Sequence, residues 1–536
     1  MGWPHTCSLG LDGVCRVDVA WGPASTCHAR EHLGVSCRRR RWGLATRQVH
    51  VKRNVLLITL DQFRGDCFST TRDTGVHTPG LHELARHGVH FERHYSQASP
   101  CSPGRASLYT GMYQMNHRVV ANGTPLDRSF DNLALAARRA GYSPALFGYT
   151  DQAVDPRDTV GAHDPRLQSY EGVLPGFDSV LDLTGHHAPW VEWLATQGVD
   201  VSVGLGMLLS TESERDEALS LSTFMTNQYF DWLNTQAQGW FCHLSYLRPH
   251  SPYSAAGSFS NMYDPNDMSL PIAPSDNRHP LHEFVLDFSV TRAPTDEQKM
   301  RDMKAQYLGM ISEVDSQLVR VWQKLRERGE WDNTIIIVSS DHGEMMGDHG
   351  LKEKVGYWEQ SYHIPCIVRD PHRTQAHGVT VDAFTENVDI FPTLCDLLDI
   401  PVPTQCDGHS LALFLQGEQP SKWRTAATWE FDWSSYLLDR KSQKWSPSLT
   451  ECSLVTRRTE SHALVQLADG TTLCFDLHAD PTWRAQTDDS SVILDLSRQL
   501  HAWRMQKNRH HFTGFLVDKG GIGRWPEGVA WRESGQ

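Results

Sequence analysis

The sequence predicts an α/β protein: a large, mostly parallel sheet sandwiched by helices, followed by a small C-terminal antiparallel α+β subdomain. Three observations carry this prediction. Short β-rich runs alternate with helical segments through most of the chain. Two of those runs, Asn54-Val-Leu-Leu-Ile-Thr-Leu60 and Thr334-Ile-Ile-Ile-Val-Ser339, are almost continuously apolar, as strands covered on both faces are. Beyond about residue 420 the chain changes to closely spaced short strands.

The elements follow in order. Residues 54–60 form the first buried strand and end in Asp61-Gln62. Thr78-Pro79 opens a helix, with Thr as N-cap and Pro in the first turn, that runs to Gly88. Val89 to Phe91 is a second strand. Ser102 and Pro103 resemble a further helix start. Leu133 to Ala140 is helical, and Pro144 to Tyr149 is a strand. Residues 151–290, rich in Pro, Gly, Asp and Ser, read as long loops over the sheet edge. Within them Trp240 to Tyr246 is a strand that delivers Arg248-Pro-His250. The clearest helix is 296–328. Met300, Met303, Tyr307, Ile311, Val314, Leu318, Val321 and Leu325 form its apolar stripe. The strand 334–339 follows and ends in Ser340-Asp341-His342-Gly343. Ile364 to Val368 is a strand and Asn387 to Leu398 a helix. Four short strands (428–431, 454–459, 462–467 and 471–477) and a late helix near 491–506 make the C-terminal subdomain. Asp469-Gly470 marks one of its hairpins.

The expected domains are a disordered leader over 1–50, a catalytic domain over 51–419 and the subdomain over 420–536. The chain of 536 residues has a net charge of −14. Residues 1–53 are basic, with nine Lys or Arg against three acids, so the rest carries a net −20. An acidic body argues against nucleic-acid partners, which need a basic face, but leaves room for one small anion in a locally cationic pocket. Twelve cysteines in this length, with no CxxC pair, match neither a disulfide scaffold nor a zinc ribbon and point to a reducing, cytoplasmic setting. No run of about 18 apolar residues occurs, and no secretory h-region is read, so no membrane partner is expected. The Trp- and Arg-bearing stretch from Trp503 to Trp531 is a candidate assembly arm for a homo-oligomer.

Ligands of parallel α/β sheets bind beyond the carboxyl ends of the strands. Asp61-Gln62 and Asp341-His342 lie there and offer carboxylates, an amide oxygen and an imidazole to a divalent cation. Each dipeptide alone is a weak signal, because an Asp after a strand is more often a cap or turn residue. The segment Cys101-Ser-Pro-Gly-Arg105, followed by Thr110-Gly111, is far more specific. It reads as C-x-P-x-R…T-G, the signature at which sulfatases convert cysteine to formylglycine. With Asn116-His-Arg118, Asn122-Gly-Thr124, Gly148-Tyr-Thr150, Arg248-Pro-His250, Ser340 to Gly343 and Lys354 to Tyr357, it makes residues 51–525 resemble the formylglycine-dependent sulfatases of the alkaline phosphatase superfamily. The resemblance is strongest to the phosphonate monoester hydrolase and arylsulfatase branch.

That resemblance implies an alkaline phosphatase/sulfatase-like fold and a set of roles. Asp61, Gln62, Asp341 and His342, with an oxygen derived from Cys101, would hold one divalent metal. A Gln and a His in this set favour Mn²⁺ or Zn²⁺ over Ca²⁺ or Mg²⁺. The hydrated aldehyde would attack sulfur or phosphorus with one hydroxyl and expel the acid with the other. Arg105 would orient the formylglycine, and Lys354 and His250 would contact the transferred group or protonate the leaving oxygen. Asn122 and Tyr149 would bind substrate. Lys352 is an alternative to Lys354. Asp151 stands where phosphonate monoester hydrolases carry Thr, a departure that bears on substrate charge. The implied substrates are small anionic esters: sulfate esters, phosphonate monoesters and phosphodiesters. The implied partner is a formylglycine-generating enzyme. Two further readings compete: an unmodified-Cys101 phosphotransferase, and a degenerate anion-binding protein without activity.

Overall fold

The computed structural model describes residues 52–438 and 445–508, and the backbone of strands 515–518 and 521–524. The leader expected over 1–50 and much of the Trp503–Trp531 arm lie outside the described residues.

Eight strands form the main sheet: β1 (Asn54–Leu60), β2 (Val89–Phe91), β3 (Pro144–Gly148), β4 (Asp178–Asp182), β5 (Phe241–Tyr246), β6 (Thr334–Ser339), β7 (Cys366–Arg369) and β8 (Val379–Val381). Their spatial order is β8-β2-β7-β6-β1-β5-β3-β4. Only β7 runs against its neighbours, so the sheet is mostly parallel, as expected. The unbroken apolar runs of β1 and β6 follow from burial on both faces. Leu56, Ile58 and Leu60 enter one core with Ile336 and Val338, while Val55 and Leu57 enter the other with Ile335 and Ile337.

Helices cover both faces: α1 (Pro79–Arg86), α2 (Cys101–Thr110), α3 (Leu133–Arg139), α4 (Ala188–Thr196), α5 (Leu221–Leu233), α6 (Glu297–Glu327) and α7 (Ile390–Leu397). The stripe of α6 packs into the first core. Asp296 caps this helix, its carboxylate accepting from Lys299 N. The second core receives α2, α3 and α7. The expected N-cap at Thr78 is not made. The carboxylate of Asp315, carried by α6, instead accepts from Gly80 N at 2.6 Å and Leu81 N at 2.8 Å, satisfying the first turn of α1 from a neighbouring helix. Likewise α2 begins at Cys101 rather than at Ser102, and all ten of its residues are buried.

The reading of 151–290 as loops is corrected. This region contains β4, α4 and α5 and the short helices Leu205–Ser210 and Pro280–Leu286. The cause is burial. In α5, Ser222, Thr223 and Thr226 are buried along with Leu221, Phe224 and Met225, so no polar stripe marks the helix.

The change of pattern near residue 420 coincides with a second sheet. Ala426–Asp432, Ser453–Thr459, His462–Leu467 and Thr472–Asp476 form an antiparallel meander. Its outer neighbour is Ala98–Ser99, parallel to the first of these strands, so this sheet is completed by the segment that leads into Cys101. Helix α8 (Ser490–Lys507) packs on it through Leu496 and Leu500. Among the described residues no helix is long and apolar enough to cross a membrane.

Candidate active site

Parallel register assembles the site. Thr59 of β1 pairs with Ser339 of β6, so Asp61 and Asp341, each two residues further on, leave the sheet side by side. On the other side of β1, the ends of β5 and β3 deliver His250 and Tyr149. Gly148 permits that convergence, because a Cβ there would lie 2.4 Å from Ser245 O. Helix α2 crosses the strand ends in close contact, since a Cβ on Gly104 would lie 2.4 Å from Asp341 O. A side chain at either position would push apart the elements that carry the chemistry.

Asp61, Cys101, Asp341 and His342 are all buried, and their potential ligand atoms lie within 4.8 Å of one another. His342 Nδ1 is 3.0 Å from Gly343 O. A carbonyl only accepts, so Nδ1 carries the proton and Nε2 presents a lone pair. That Nε2 lies 3.2 Å from Cys101 Sγ, 3.7 Å from Asp61 Oδ1 and 3.6 Å from Asp341 Oδ2. Burial outweighs the attraction of Asp341 and lowers the pKa of His342, which keeps the ring neutral. Asp61 Oδ1 is buried without a hydrogen-bond partner. A solvent-excluded carboxylate oxygen facing an imidazole lone pair is a repulsive arrangement that a bound cation relieves, so this donor set fits a divalent metal.

Arg105 balances the acids. Its Nη2 donates to Asp61 and its Nε to Asp341, both at 2.9 Å, and Nη1 donates to Ser245 Oγ at 2.7 Å. Burial works against ionisation of Asp61, yet the positive charges of Arg105 and Lys354 help to hold its carboxyl well below the usual range. Asp151 also approaches Arg105, at 3.4 Å. Burial pushes the Asp151 carboxyl up despite that guanidinium. Gln62 and Asp151 both take left-handed backbone, with φ of 67° and 52°, the kind of local strain that collects at functional sites.

Gln62 joins the cluster by its backbone, N–H to Asp341 Oδ1 at 3.2 Å. Its side-chain oxygen accepts from Lys354 Nζ at 2.7 Å, and its amide nitrogen donates to Glu344. Lys354 also donates to His250 Nε2 at 2.7 Å and to Glu353 at 3.2 Å. His250 Nδ1 is held by Ser251 O at 2.7 Å, so its Nε2 is the acceptor and the ring is neutral. Burial first, then Lys354, lowers its pKa. Lys354 rather than Lys352 therefore makes these contacts. Asn122 and Tyr149 are present but partly committed: Asn122 Oδ1 accepts from Ser102 N at 2.9 Å, and the Tyr149 hydroxyl donates to Asp61 Oδ2 at 3.0 Å.

A family model described as Sulfatase matches residues 53–400, which contain every one of these side chains. The chain belongs to the sulfatase family. It is a hydrolase acting on ester bonds. A second model, described as N-sulphoglucosamine sulphohydrolase, C-terminal, matches residues 347–510. The chain is 35% identical over 508 residues to the multifunctional alkaline phosphatase superfamily protein PehA of Trinickia caryophylli, covering 88% of this chain and 99% of that protein. It is 28% identical to an arylsulfatase of Clostridium perfringens, covering 70% of this chain and 80% of that one. Its fold matches the crystal structure of the phosphonate monoester hydrolase of Agrobacterium radiobacter with a TM-score of 0.81 and 38% identity, covering 88% of this chain and all of that one.

The structure brings the ten candidate residues of this sulfatase-family site together and adds several that sequence reasoning missed. Glu344, pushed up to about 7 by burial and by Glu353, anchors the Gln62 amide. Glu353, held near 2 by Lys354 against burial, pairs with that lysine. Arg248 is fully buried on Glu212 and donates to His250 O at 2.8 Å and Pro252 O at 2.9 Å, so it shapes the His250 loop. Glu344 and Glu353 lie two and eleven residues after His342, a signal that was available. Glu212 carried none.

Proposed function

We propose that this protein is a metal-dependent hydrolase that uses formylglycine derived from Cys101 to cleave sulfate esters, phosphonate monoesters and phosphodiesters. The observation that carries the reading is the position of Cys101. Its Sγ lies 3.2 Å from His342 Nε2, inside the four-donor cluster, at the first turn of the helix that also carries Arg105. In the modified residue an oxygen takes the place of that sulfur.

A divalent metal held by Asp61, Asp341, His342 and residue 101, with Gln62 as a further ligand, supplies Lewis-acid activation at the transferred group. The mixture of carboxylate, amide oxygen and imidazole favours Mn²⁺ or Zn²⁺ over Ca²⁺ or Mg²⁺. Formylglycine at residue 101 would supply, in its hydrated form, two hydroxyls on one carbon, a nucleophile and a group able to release the acid.

The chain's own residues do the rest. Arg105 neutralises Asp61 and Asp341 and locks the helix that presents residue 101. Lys354 holds its ammonium against burial through Glu353 and the two aspartates, so it faces the substrate charged. It stabilises the negative charge that grows on the transferred oxygens. Neutral His250, whose Nε2 accepts from Lys354, sits where it can hold or pass a proton toward the leaving oxygen. The Nδ2 protons of Asn122, whose oxygen is already used, remain to donate to an anionic oxygen of the substrate.

A formylglycine-generating enzyme is the required maturation partner. The eight cysteines of the described residues are free thiols, which supports a reducing, cytoplasmic location. The test is turnover of 4-nitrophenyl sulfate, bis-4-nitrophenyl phosphate and a phenyl phosphonate ester by the native enzyme and Cys101→Ala. Loss of at least about 10³-fold in kcat on every ester that the native enzyme cleaves is expected. Unchanged turnover removes residue 101 from the mechanism.

A further inference from the structure

The turn before α4 is strained. Gly185, His186 and His187 follow one another with φ of 64°, 73° and 55°. Two consecutive residues bearing a Cβ in this region persist only where their surroundings hold them. Here Gly185 N donates to Glu171 Oε2 at 3.2 Å, and His187 immediately precedes α4. The turn places the His187 ring, 4% exposed, against Tyr149, with centroids 6.1 Å apart. The hydroxyl of that tyrosine is bonded to Asp61.

Neither ring nitrogen of His187 has a hydrogen-bond partner, and both are buried. The other histidines near the site differ: His250 and His342 each spend one ring nitrogen on a carbonyl. Burial first, then Arg248 and His250, lowers His187 to about 4, so at neutral pH its ring carries one N–H and one lone pair. An imidazole buried without partners is unfavourable, and a strained turn that puts it there adds to the cost. Both are explained if a ligand completes the pairing. The transferred anion already has Lys354 and Asn122 to meet it. His187 stands instead against Tyr149, on the segment outside the strand ends, close enough to Arg248 and His250 for both to bear on its ring.

We propose that His187 is a substrate-binding residue whose ring N–H donates to an oxygen carried by the leaving group next to the scissile ester. The preferred substrates are then esters with a hydroxyl, or an equivalent oxygen, on the neighbouring carbon. This inference rests on the ester-hydrolase reading above.

The experiment compares two sulfate esters that differ in that one hydroxyl, 2-hydroxy-4-nitrophenyl sulfate and 4-nitrophenyl sulfate. Their binding to metal-loaded Cys101→Ala protein is measured by calorimetry, so the result does not depend on turnover or on formylglycine. The hydroxyl-bearing ester binds about tenfold tighter, in line with one hydrogen bond to an otherwise unpaired buried group. Adding His187→Leu removes the preference and changes 4-nitrophenyl sulfate by less than about threefold. His187→Gln, which keeps a donor, retains most of the preference. Equal affinity for the two esters before the His187 change, or equal weakening of both by His187→Leu, overturns the proposal. Loss of the proposed mechanism shows separately, as unchanged turnover in the Cys101→Ala assay of the preceding section.

Discussion

Replacing Arg105 with leucine removes one guanidinium and strands three carboxyl groups. Arg105 is 0% exposed and contacts Asp61 and Asp341 at 2.9 Å and Asp151 at 3.4 Å. Leucine approximates part of its volume but supplies no charge and no donor to Ser245 or to Tyr149 O, 2.7 and 3.2 Å from Nη1. Breaking a buried ion pair from one side costs about 3–5 kcal/mol, because the remaining charge is left desolvated. Thermal unfolding of the metal-free protein in chelator reads this cost, and the apparent melting temperature falls by about 5 °C or more. A cation offers those carboxylates a second source of compensation. Adding Mn²⁺ therefore raises the melting temperature of Arg105→Leu by more than it raises the native protein. Arg105→Lys recovers little, since an ammonium cannot serve both aspartates and Ser245 at once. A melting temperature within about 1 °C of native in chelator, or an equal metal response in both proteins, refutes the charge-balancing role of Arg105.

Two further outcomes follow from the same geometry. Asp315→Ala leaves the Gly80 and Leu81 amides of α1 without acceptors and lowers stability by about 2 kcal/mol, read as a lower urea midpoint at unchanged slope; a midpoint equal to native removes the cap. The pH dependence of stability is set by buried imidazoles. His90, His94, His117, His187, His282, His349 and His409 are lowered to about 3 or 4, chiefly by burial, whereas Asp315, Glu313 and Glu344 are raised to about 7. Depressed histidines stay neutral in the folded protein while the unfolded chain takes up protons below about 6.5, so they destabilise as pH falls. Raised carboxyls act in the opposite sense over the same window but are fewer. The apparent melting temperature therefore declines from pH 7 toward pH 5, and a flat or rising profile contradicts the burial assigned to these histidines.

Much of the site was legible because its chemistry sits at the ends of strands that the sequence marks clearly. The apolar runs of β1 and β6 identify buried parallel strands, and the dipeptides that follow them must then leave the same edge. The C-x-P-x-R run supplied the link between them, and Gly104 shows why small size matters there: α2 lies directly on the backbone of Asp341. What the sequence hid is of another kind. Thr78 looks like an N-cap, yet the capping carboxylate comes from Asp315, more than 200 residues away. Arg248 belongs to a motif with His250, but its partner Glu212 precedes it by 36 residues with no pattern between them. Helix α5 carries polar residues on buried faces, so periodicity could not reveal it. His187 has no motif at all. Only its strained turn and its unpaired ring distinguish it from the other histidines.

Residue 101 is where the account is most directly exposed. The mass of the peptide containing it, isolated from catalytically active enzyme made with its maturation partner, is predicted to be about 18 Da lower than the thiol form, as conversion of cysteine to an aldehyde requires. A fully active enzyme whose residue 101 is an unmodified cysteine would contradict the account.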